Sequence, residues 1–417
     1  MQLFSALRYK NYRVFIIGQA LSNIGNMMQM VAVSWIAYKL TDSVFVLGLV
    51  TFGKQISGFF TGFFSGVIAD RFNRRILLQY AHFTIGCLAF TIFALIWFEL
   101  ITIYLLIIIQ LTIGVLKSLE IPSRQAFVND LIQDKQYLPN AVALNSTIFN
   151  TARLIGPTVA GILIPLAGEA ICLAIYGLMS WVIVVFFFYL RVPEQKKLDT
   201  KLNFKAEFLE GFSYAFSHPS IKISLLFVAG FAFFGTSFMV LLPVIAGDIF
   251  NSGAEVYGYM NSAQGLGAII GGVYLANRAK ATTMHKGIFW AAILFCVGLG
   301  VISFSSLIVV TIIGIVLTGG GRVIVFASTN TLLQLIASDT KRGRVLSLYI
   351  TIFMGSMMLG GLSIGALADY IGVLNTLMVQ AVCCVAIAFL YGKNLKYYDT
   401  SELHKNVITT VHKIKQL

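Results

Sequence analysis

The sequence predicts an all-α membrane protein with twelve transmembrane helices in two pseudo-symmetric six-helix bundles. Composition, the spacing of the apolar runs and the placement of basic residues indicate this architecture. Of the 417 residues, 58% are hydrophobic and 11% are charged, and the mean hydropathy is +0.85. A water-soluble fold of this length cannot bury so much apolar surface, so a bilayer surrounds most of the chain.

Charges, glycines and prolines divide the apolar sequence into segments that suit membrane-spanning helices of roughly 20 residues. The first half is predicted to span the membrane at 14–40, 45–68, 76–98, 102–123, 139–166 and 170–190. The second half is predicted to do so at 222–248, 255–277, 286–304, 306–335, 343–368 and 372–392. The predicted domains are a first bundle at 1–190, a cytoplasmic linker at 191–221, a second bundle at 222–394 and a cytoplasmic tail at 395–417.

The 30 lysines and arginines, which give a net charge of +13, define the orientation of the chain. Nearly all of them lie at the N-terminus, between alternate spans, in the linker or in the tail, on one side of the predicted topology. This positive-inside pattern places both termini in the cytoplasm. The basic balance therefore reflects membrane topology, and we expect no nucleic-acid partner.

Residue types that carry enzyme or metal chemistry have no recognisable arrangement in the sequence. The cysteines lie in apolar runs without metal-ligand or redox spacing, at Cys87, Cys172, Cys296, Cys383 and Cys384. The GGGR stretch at 319–322 lies within a predicted span and lacks the lysine and the strand of a phosphate-binding loop. We therefore expect no catalytic residue, no metal and no cofactor, and an ion gradient rather than ATP as the energy source.

An internal repeat relates the fifth and eleventh predicted spans. The tripeptide TIF at 147–149 recurs at 351–353. Three glycines recur in the same register, with Gly156, Gly161 and Gly168 matching Gly360, Gly365 and Gly372. The repeat predicts two halves related by an axis along the membrane normal.

The segment GVIADRFNRR at 66–75 lies between the second and third predicted spans. Gly66 allows close helix approach, and the Asp70 carboxylate can interact with arginines and with a helix N-terminus. The segment resembles the cytoplasmic loop signature of the major facilitator superfamily, with Asn73 where glycine is usual. In that superfamily the loop latches the two halves together in the outward-open state, which would make Asp70 the acceptor for Arg71, Arg74 and Arg75.

A second segment, RLIGPTVAG at 153–161, resembles the antiporter motif of exporters in this superfamily and contains Gly156 and Pro157. The stretches IPSRQA at 121–126 and LPNAVALNS at 138–146 resemble the enterobactin exporter and macrolide efflux branch. This resemblance implies a monomeric bacterial inner-membrane exporter, driven by proton antiport, for a siderophore-like or macrolide-like molecule. Many relatives carry an acid and an arginine at the positions of Asn26 and Gln110.

Three basic residues lie near the middle of predicted spans: Lys54, Arg153 and Arg322. A charge at the bilayer centre costs at least roughly 2.5 to 3.5 kcal/mol, so each needs a compensating interaction. No acid lies at the same depth, and an anionic substrate could supply the missing charge. The alternative is that these side chains snorkel or bond to backbone carbonyls and amides.

Polar side chains at helical spacing are expected to line the same pathway, at Asn23, Asn26, Gln110 and Asn150. Hydrogen bonding between helices is the alternative role for them. Lys117 and Glu120 lie one turn apart and could form a merely structural pair. Glu120 and Asp70 are the acids best placed to exchange the coupling proton.

Two other functions remain open from the sequence. A lipid or lysophospholipid transporter could use the same fold and take its substrate sideways from the membrane. A membrane-embedded enzyme or structural subunit is the non-transport alternative, although no catalytic motif supports it.

Overall fold

The computed structural model describes residues 5–132, 134–190, 204–278, 283–338 and 341–398. The side chains of 62–64, 66, 67, 69–71, 135, 204–209, 211, 278 and 396 are excluded from this description. All regular structure in the described residues is helical. The first six long helices are α1 (Lys10–Leu40), α2 (Val44–Arg71), α3 (Arg74–Trp97), α4 (Ile103–Leu131), α5 (Leu138–Ala167) and α6 (Glu169–Tyr189).

The short helix α7 (Phe204–Ser217) begins the second half and coincides with the amphipathic stretch of the predicted linker. The helices that follow are α8 (Pro219–Gly235), α9 (Ala254–Arg278), α10 (Met284–Phe304), α11 (Ile308–Ile336), α12 (Arg342–Ile371) and α13 (Val373–Lys393). After α8 the chain continues in a 3-10 turn at Thr236–Val240 and a π turn at Ile245–Ile249.

Short polar residues and glycines determine where several helices begin and end. Ser43 Oγ accepts a hydrogen bond from the Val46 amide at the start of α2. Asn73 Oδ1 accepts hydrogen bonds from the amides of Arg75 and Ile76 and so caps α3. At the ends of α5 and α12, Gly168 and Gly372 have φ angles of 81° and 85°. Only glycine adopts this conformation readily, which explains why these two repeat positions are glycines.

Ten membrane-spanning candidates meet the criteria of length and apolar composition among the described residues, counting Pro219–Ile249 as one. The two other long helices, α1 and α9, contain buried amides, among them Gln29 and Gln264. Polar side chains lower the hydropathy of a membrane helix that faces the protein interior rather than lipid. The predicted all-α membrane fold with twelve long helices is confirmed.

The helix α4 extends further than the sequence predicts. Its predicted end at residue 123 follows a proline, but the helix continues through Pro122 to Leu131. Side-chain hydroxyls bond to backbone carbonyls around this turn, where Ser123 Oγ donates to the Leu119 carbonyl at 2.7 Å. A membrane helix can continue through a proline with the loss of one backbone hydrogen bond, so the predicted end is wrong by about two turns.

The chain forms two compact units, each with its own core. The first unit comprises residues 1–200 and 242–265, and its core includes a cluster of packed rings, Tyr12, Phe15, Phe127 and Phe187. The second unit comprises residues 201–241 and 266–417, and its core includes the packed rings of Phe231, Phe295 and Phe326. The bundle boundaries predicted from the sequence stay a prediction.

The last described residues pack against the second unit. Ser220 Oγ donates a hydrogen bond to the Tyr397 carbonyl at 2.6 Å. The Tyr398 hydroxyl lies 2.8 Å from Ser224 Oγ, and its ring stacks on His285. Burial raises the pKa of Tyr398 to about 12, so its hydroxyl is neutral at physiological pH.

Candidate functional site

A polar cluster lies between α1, α2 and α4 in the first unit. Lys54 Nζ donates hydrogen bonds to Asn26 Oδ1 at 3.0 Å and to Gln29 Oε1 at 3.2 Å. Gln29 Nε2 in turn donates to Gln110 Oε1 at 2.9 Å. We call Lys54, Asn26, Gln29 and Gln110 the lysine cluster. Lys54, Asn26 and Gln110 were predicted to line a substrate pathway, and the structure brings these three residues together.

A close helix contact positions Lys54. A Cβ atom added at Gly114 would overlap Ser57 Oγ and the Lys54 carbonyl, and would lie 2.8 Å from the Lys54 Cα. The glycine therefore lets the α2 backbone approach α4 directly beside Lys54. No carboxylate of the described residues forms an ion pair with Lys54, whose hydrogen-bond partners are neutral amides. Among the described residues, Lys54 thus has no carboxylate as a hydrogen-bond or ion-pair partner.

A second polar cluster surrounds Glu120, which is only 2% exposed. Glu120 Oε2 lies 3.3 Å from Lys117 Nζ, and Oε1 lies 2.9 Å from Arg124 Nε. The His82 ring, carried by α3, places Nε2 3.9 Å from Glu120 Oε1. We call Glu120, Lys117, Arg124 and His82 the glutamate cluster. The predicted Lys117–Glu120 pair is present, but it belongs to a larger group of charges.

Two further predicted residues lie on α5 in the first unit. The guanidinium of Arg153 lies over the Phe149 ring, 4.9 Å from its centroid. A Cβ added at Gly265 would lie 2.9 Å from the Arg153 carbonyl, so α5 contacts the middle of α9 here. Asn150 is half-buried about one turn before Arg153. Among the described residues, no hydrogen bond or ion pair joins either side chain to the lysine cluster.

The other predicted asparagine on α1, Asn23, is buried and accepts a hydrogen bond from Gln19 at 3.3 Å. Arg322 lies on α11 in the second unit, where one guanidinium nitrogen is 3.2 Å from Met239 Sδ. The contact with sulfur is not the only interaction that Arg322 makes.

The loop signature is described in part. Gly66, Asp70 and Arg71 lie within α2, but their side chains are outside the described residues, so the predicted role of Asp70 stays a prediction. Arg74 donates two hydrogen bonds to the Asp130 carboxylate, at 3.0 and 3.1 Å. Arg75 donates to the Phe188 carbonyl at 3.0 Å.

The antiporter-like motif mediates close packing of α5. A Cβ added at Gly156 would lie 2.9 Å from the Ile24 carbonyl of α1. The Pro157 carbonyl would lie 2.8 Å from a Cβ added at Gly258 of α9. These two predicted coupling residues therefore make backbone contacts with neighbouring helices of the first unit.

Sequence reasoning missed three members of the two clusters. Gln29 lies one turn from Asn26 on α1, and Arg124 lies one turn from Glu120 on α4, so helical spacing could have identified both. His82 is alone in an apolar stretch of α3, and only its packing against α4 connects it with Glu120.

The chemistry that this arrangement supports is the binding of an anion. Lysine and arginine side chains bind carboxylates and phosphates by charge-assisted hydrogen bonds. Amide side chains beside Lys54 can donate or accept further hydrogen bonds, which suits a polar ligand. Among the described residues there is no group of His, Cys, Asp and Glu that could hold a metal ion.

Long membrane helices in two units, with ionisable side chains in their interior, define this protein as a multi-pass membrane transporter of a small molecule. A family model described as "Transmembrane secretion effector" matches residues 1–412. The chain therefore belongs to this family of the major facilitator superfamily, which confirms the resemblance seen in its motifs.

Curated relatives and solved structures agree with this assignment. The staphyloferrin A transporter of Staphylococcus aureus is 25% identical over 390 residues, covering 91% of this chain and 95% of that protein. The uncharacterised MFS-type transporter YfmI of Bacillus subtilis is 22% identical over 402 residues, covering 92% and 96%. The crystal structure of the nucleoside transporter NupG has a TM-score of 0.75 at 14% identity, covers 95% of this chain and 100% of that one, and shows the common fold.

Proposed function

We propose that this protein is a secondary exporter of a small anionic, siderophore-like molecule, which it moves by alternating access with protons as the coupling ion. It works as a monomer in the bacterial inner membrane with both termini in the cytoplasm, as the positive-inside pattern predicts. The relative that transports staphyloferrin A supports a siderophore-like substrate, and the family description supports secretion.

The observation that carries this proposal is the environment of Lys54. An uncompensated ammonium group inside a membrane bundle is costly, and a substrate anion would compensate it. The same feature argues against a cationic substrate, which would require a buried acid at this position. It also favours an anion over a neutral macrolide-like molecule. Glu120 and Asp70 are the proposed sites of proton coupling.

The experiment is transport of staphyloferrin A into inside-out membrane vesicles that are energised by respiration. Wild-type protein should accumulate the siderophore, and a protonophore should abolish the accumulation. The variant Lys54→Gln removes a charge-assisted interaction of about 1.5 to 3 kcal/mol, so its affinity should fall by about ten- to a hundredfold.

The matched control is Lys39→Gln, because Lys39 is 56% exposed and pairs with Glu169 at the edge of the first unit. This variant should transport at the wild-type rate. Full transport by Lys54→Gln, Arg153→Ala and Arg322→Ala would exclude the anionic site. Uptake of a fluorescent lipid instead of the siderophore would favour lipid transport.

A further inference from the structure

The lysine and glutamate clusters lie on one face of α4. Gln110, Lys117 and Arg124 follow each other at intervals of seven residues, which is two helical turns or roughly 10 Å per interval. Gly114, which contacts the backbone of Lys54, lies between Gln110 and Lys117 about one turn from each. The clusters therefore form one continuous polar seam along α4, which meets α2 beside Lys54 and α3 at His82.

The seam carries more positive than negative charge. It contains three cations, Lys54, Lys117 and Arg124, but Glu120 is its single carboxylate among the described residues. Among the described residues, the basic side chains of the seam thus outnumber its carboxylates by two in a low-dielectric environment.

Unsatisfied hydrogen bonding in the seam also indicates a ligand. The His82 side chain is 1% exposed, and neither ring nitrogen has a hydrogen-bond partner among the residues that the structure describes. Buried polar atoms in proteins are nearly always bonded to protein, water or a ligand. A polar group that enters the seam would supply both the missing negative charge and these missing bonds.

We infer that the substrate carries at least two anionic groups and bridges the seam, with one group bound by Lys54 and another by Lys117. This inference rests on the proposed function and adds to it the number of anionic groups that the substrate carries. Glu120 neutralises part of the charge of Lys117 when the seam is empty, and Arg124 holds Glu120 in place. A substrate with one carboxylate satisfies Lys54 alone, so the second group provides selectivity for polyvalent anions.

The test measures binding of acetate, succinate and adipate to the purified full-length transporter at constant ionic strength, by ligand-induced thermal stabilisation. A second charge-assisted hydrogen bond should make the better-fitting dicarboxylate bind about tenfold or more tightly than acetate. Lys117→Gln should remove this difference by weakening dicarboxylate binding, and Lys117→Arg should retain it. Glu120→Gln should tighten dicarboxylate binding several-fold, because it removes the competing carboxylate.

The outcomes separate the two proposals. Equal affinity for all three anions, or an equal effect of Lys117→Gln on all three, would overturn the bridging substrate while leaving the Lys54 site intact. No stabilisation by any of them, or stabilisation that Lys54→Gln leaves unchanged, would overturn the anionic site itself. The melting temperature of each variant without ligand establishes that it is folded.

Discussion

The two units of the molecule place their charged side chains differently. In the first unit, Glu120 is 2% exposed and contacts two cations between membrane helices. In the second unit, Glu210 of α7 also contacts two cations, Lys341 and Arg344, but it is 49% exposed. Water screens the second group and not the first, so the same set of charges has a much larger energetic effect in the first unit.

The contact between α2 and α4 and the contact between α9 and α11 also differ in the charged residues that they position. The internal repeat predicts that α9 and α11 correspond to α2 and α4. In the second unit, a Cβ added at Gly267 would overlap the Val316 carbonyl, and one added at Gly271 would lie 2.7 Å from the Gly320 carbonyl. Both pairs use glycine for close approach, but in the first unit that approach positions a lysine. The close helix contact therefore positions a lysine in the first unit, where the proposed Lys54 anion site lies.

The largest expected effect contrasts the two carboxylates. Glu120→Ala leaves Lys117 and Arg124 buried without their anion, which should lower the free energy of unfolding by about 3 to 5 kcal/mol. Glu210→Ala removes an exposed partner and should cost less than about 1 kcal/mol. Thermal unfolding of both purified variants measures the difference. Equal destabilisation would show that burial does not distinguish the two clusters.

An intermediate effect is expected from the glycines of the two helix pairs. A methyl group at Gly114 or Gly267 meets backbone atoms that cannot move alone, so Gly114→Ala and Gly267→Ala should each cost about 1 to 3 kcal/mol. Only Gly114→Ala should also weaken succinate binding, because it displaces Lys54. Gly300→Ala is the control, since nothing lies within 4 Å of its added Cβ. Weaker binding in Gly267→Ala would argue against a site confined to the first unit.

The smallest expected effect concerns two buried amides. Gln29→Leu breaks the connection between Lys54 and Gln110, so succinate affinity should fall by about two- to tenfold, which corresponds to a hydrogen bond of about 0.5 to 1.5 kcal/mol. Gln380→Leu in the second unit removes the hydrogen bond to the Phe234 carbonyl and should change stability alone. Titration calorimetry with succinate distinguishes the two variants. Unchanged affinity in Gln29→Leu would mean that Gln29 does not orient Lys54.

Much of the fold could be predicted from the sequence, because hydropathy and helix-ending glycines act locally. The long apolar runs, Gly168 and Gly372 indicated the helices and their ends before any contact was known. The end of α4 was predicted wrongly, because the helix continues through Pro122 to Leu131. Local pattern rules treat proline as a stop, whereas membrane helices tolerate it.

The candidate site was predictable in its charges but not in its contacts. The cost of an embedded cation identified Lys54 directly from the sequence. Its grouping with Gln29, and that of Glu120 with His82, depend on which faces of α1 to α4 meet, which helical periodicity alone does not determine. The predicted pairing of Asp70 with Arg71, Arg74 and Arg75 stays a prediction, because the Asp70 side chain is outside the described residues.

The docking of Tyr397 and Tyr398 has a practical consequence for handling this protein. Removal of these two residues would expose the hydroxyls of Ser220 and Ser224 and uncover one face of the His285 ring. Shortened versions and fusions to reporter domains should therefore keep the chain through Tyr398. Attachment after that residue leaves the packing of α8 and α10 intact, whereas attachment before it opens a gap at the base of the second unit.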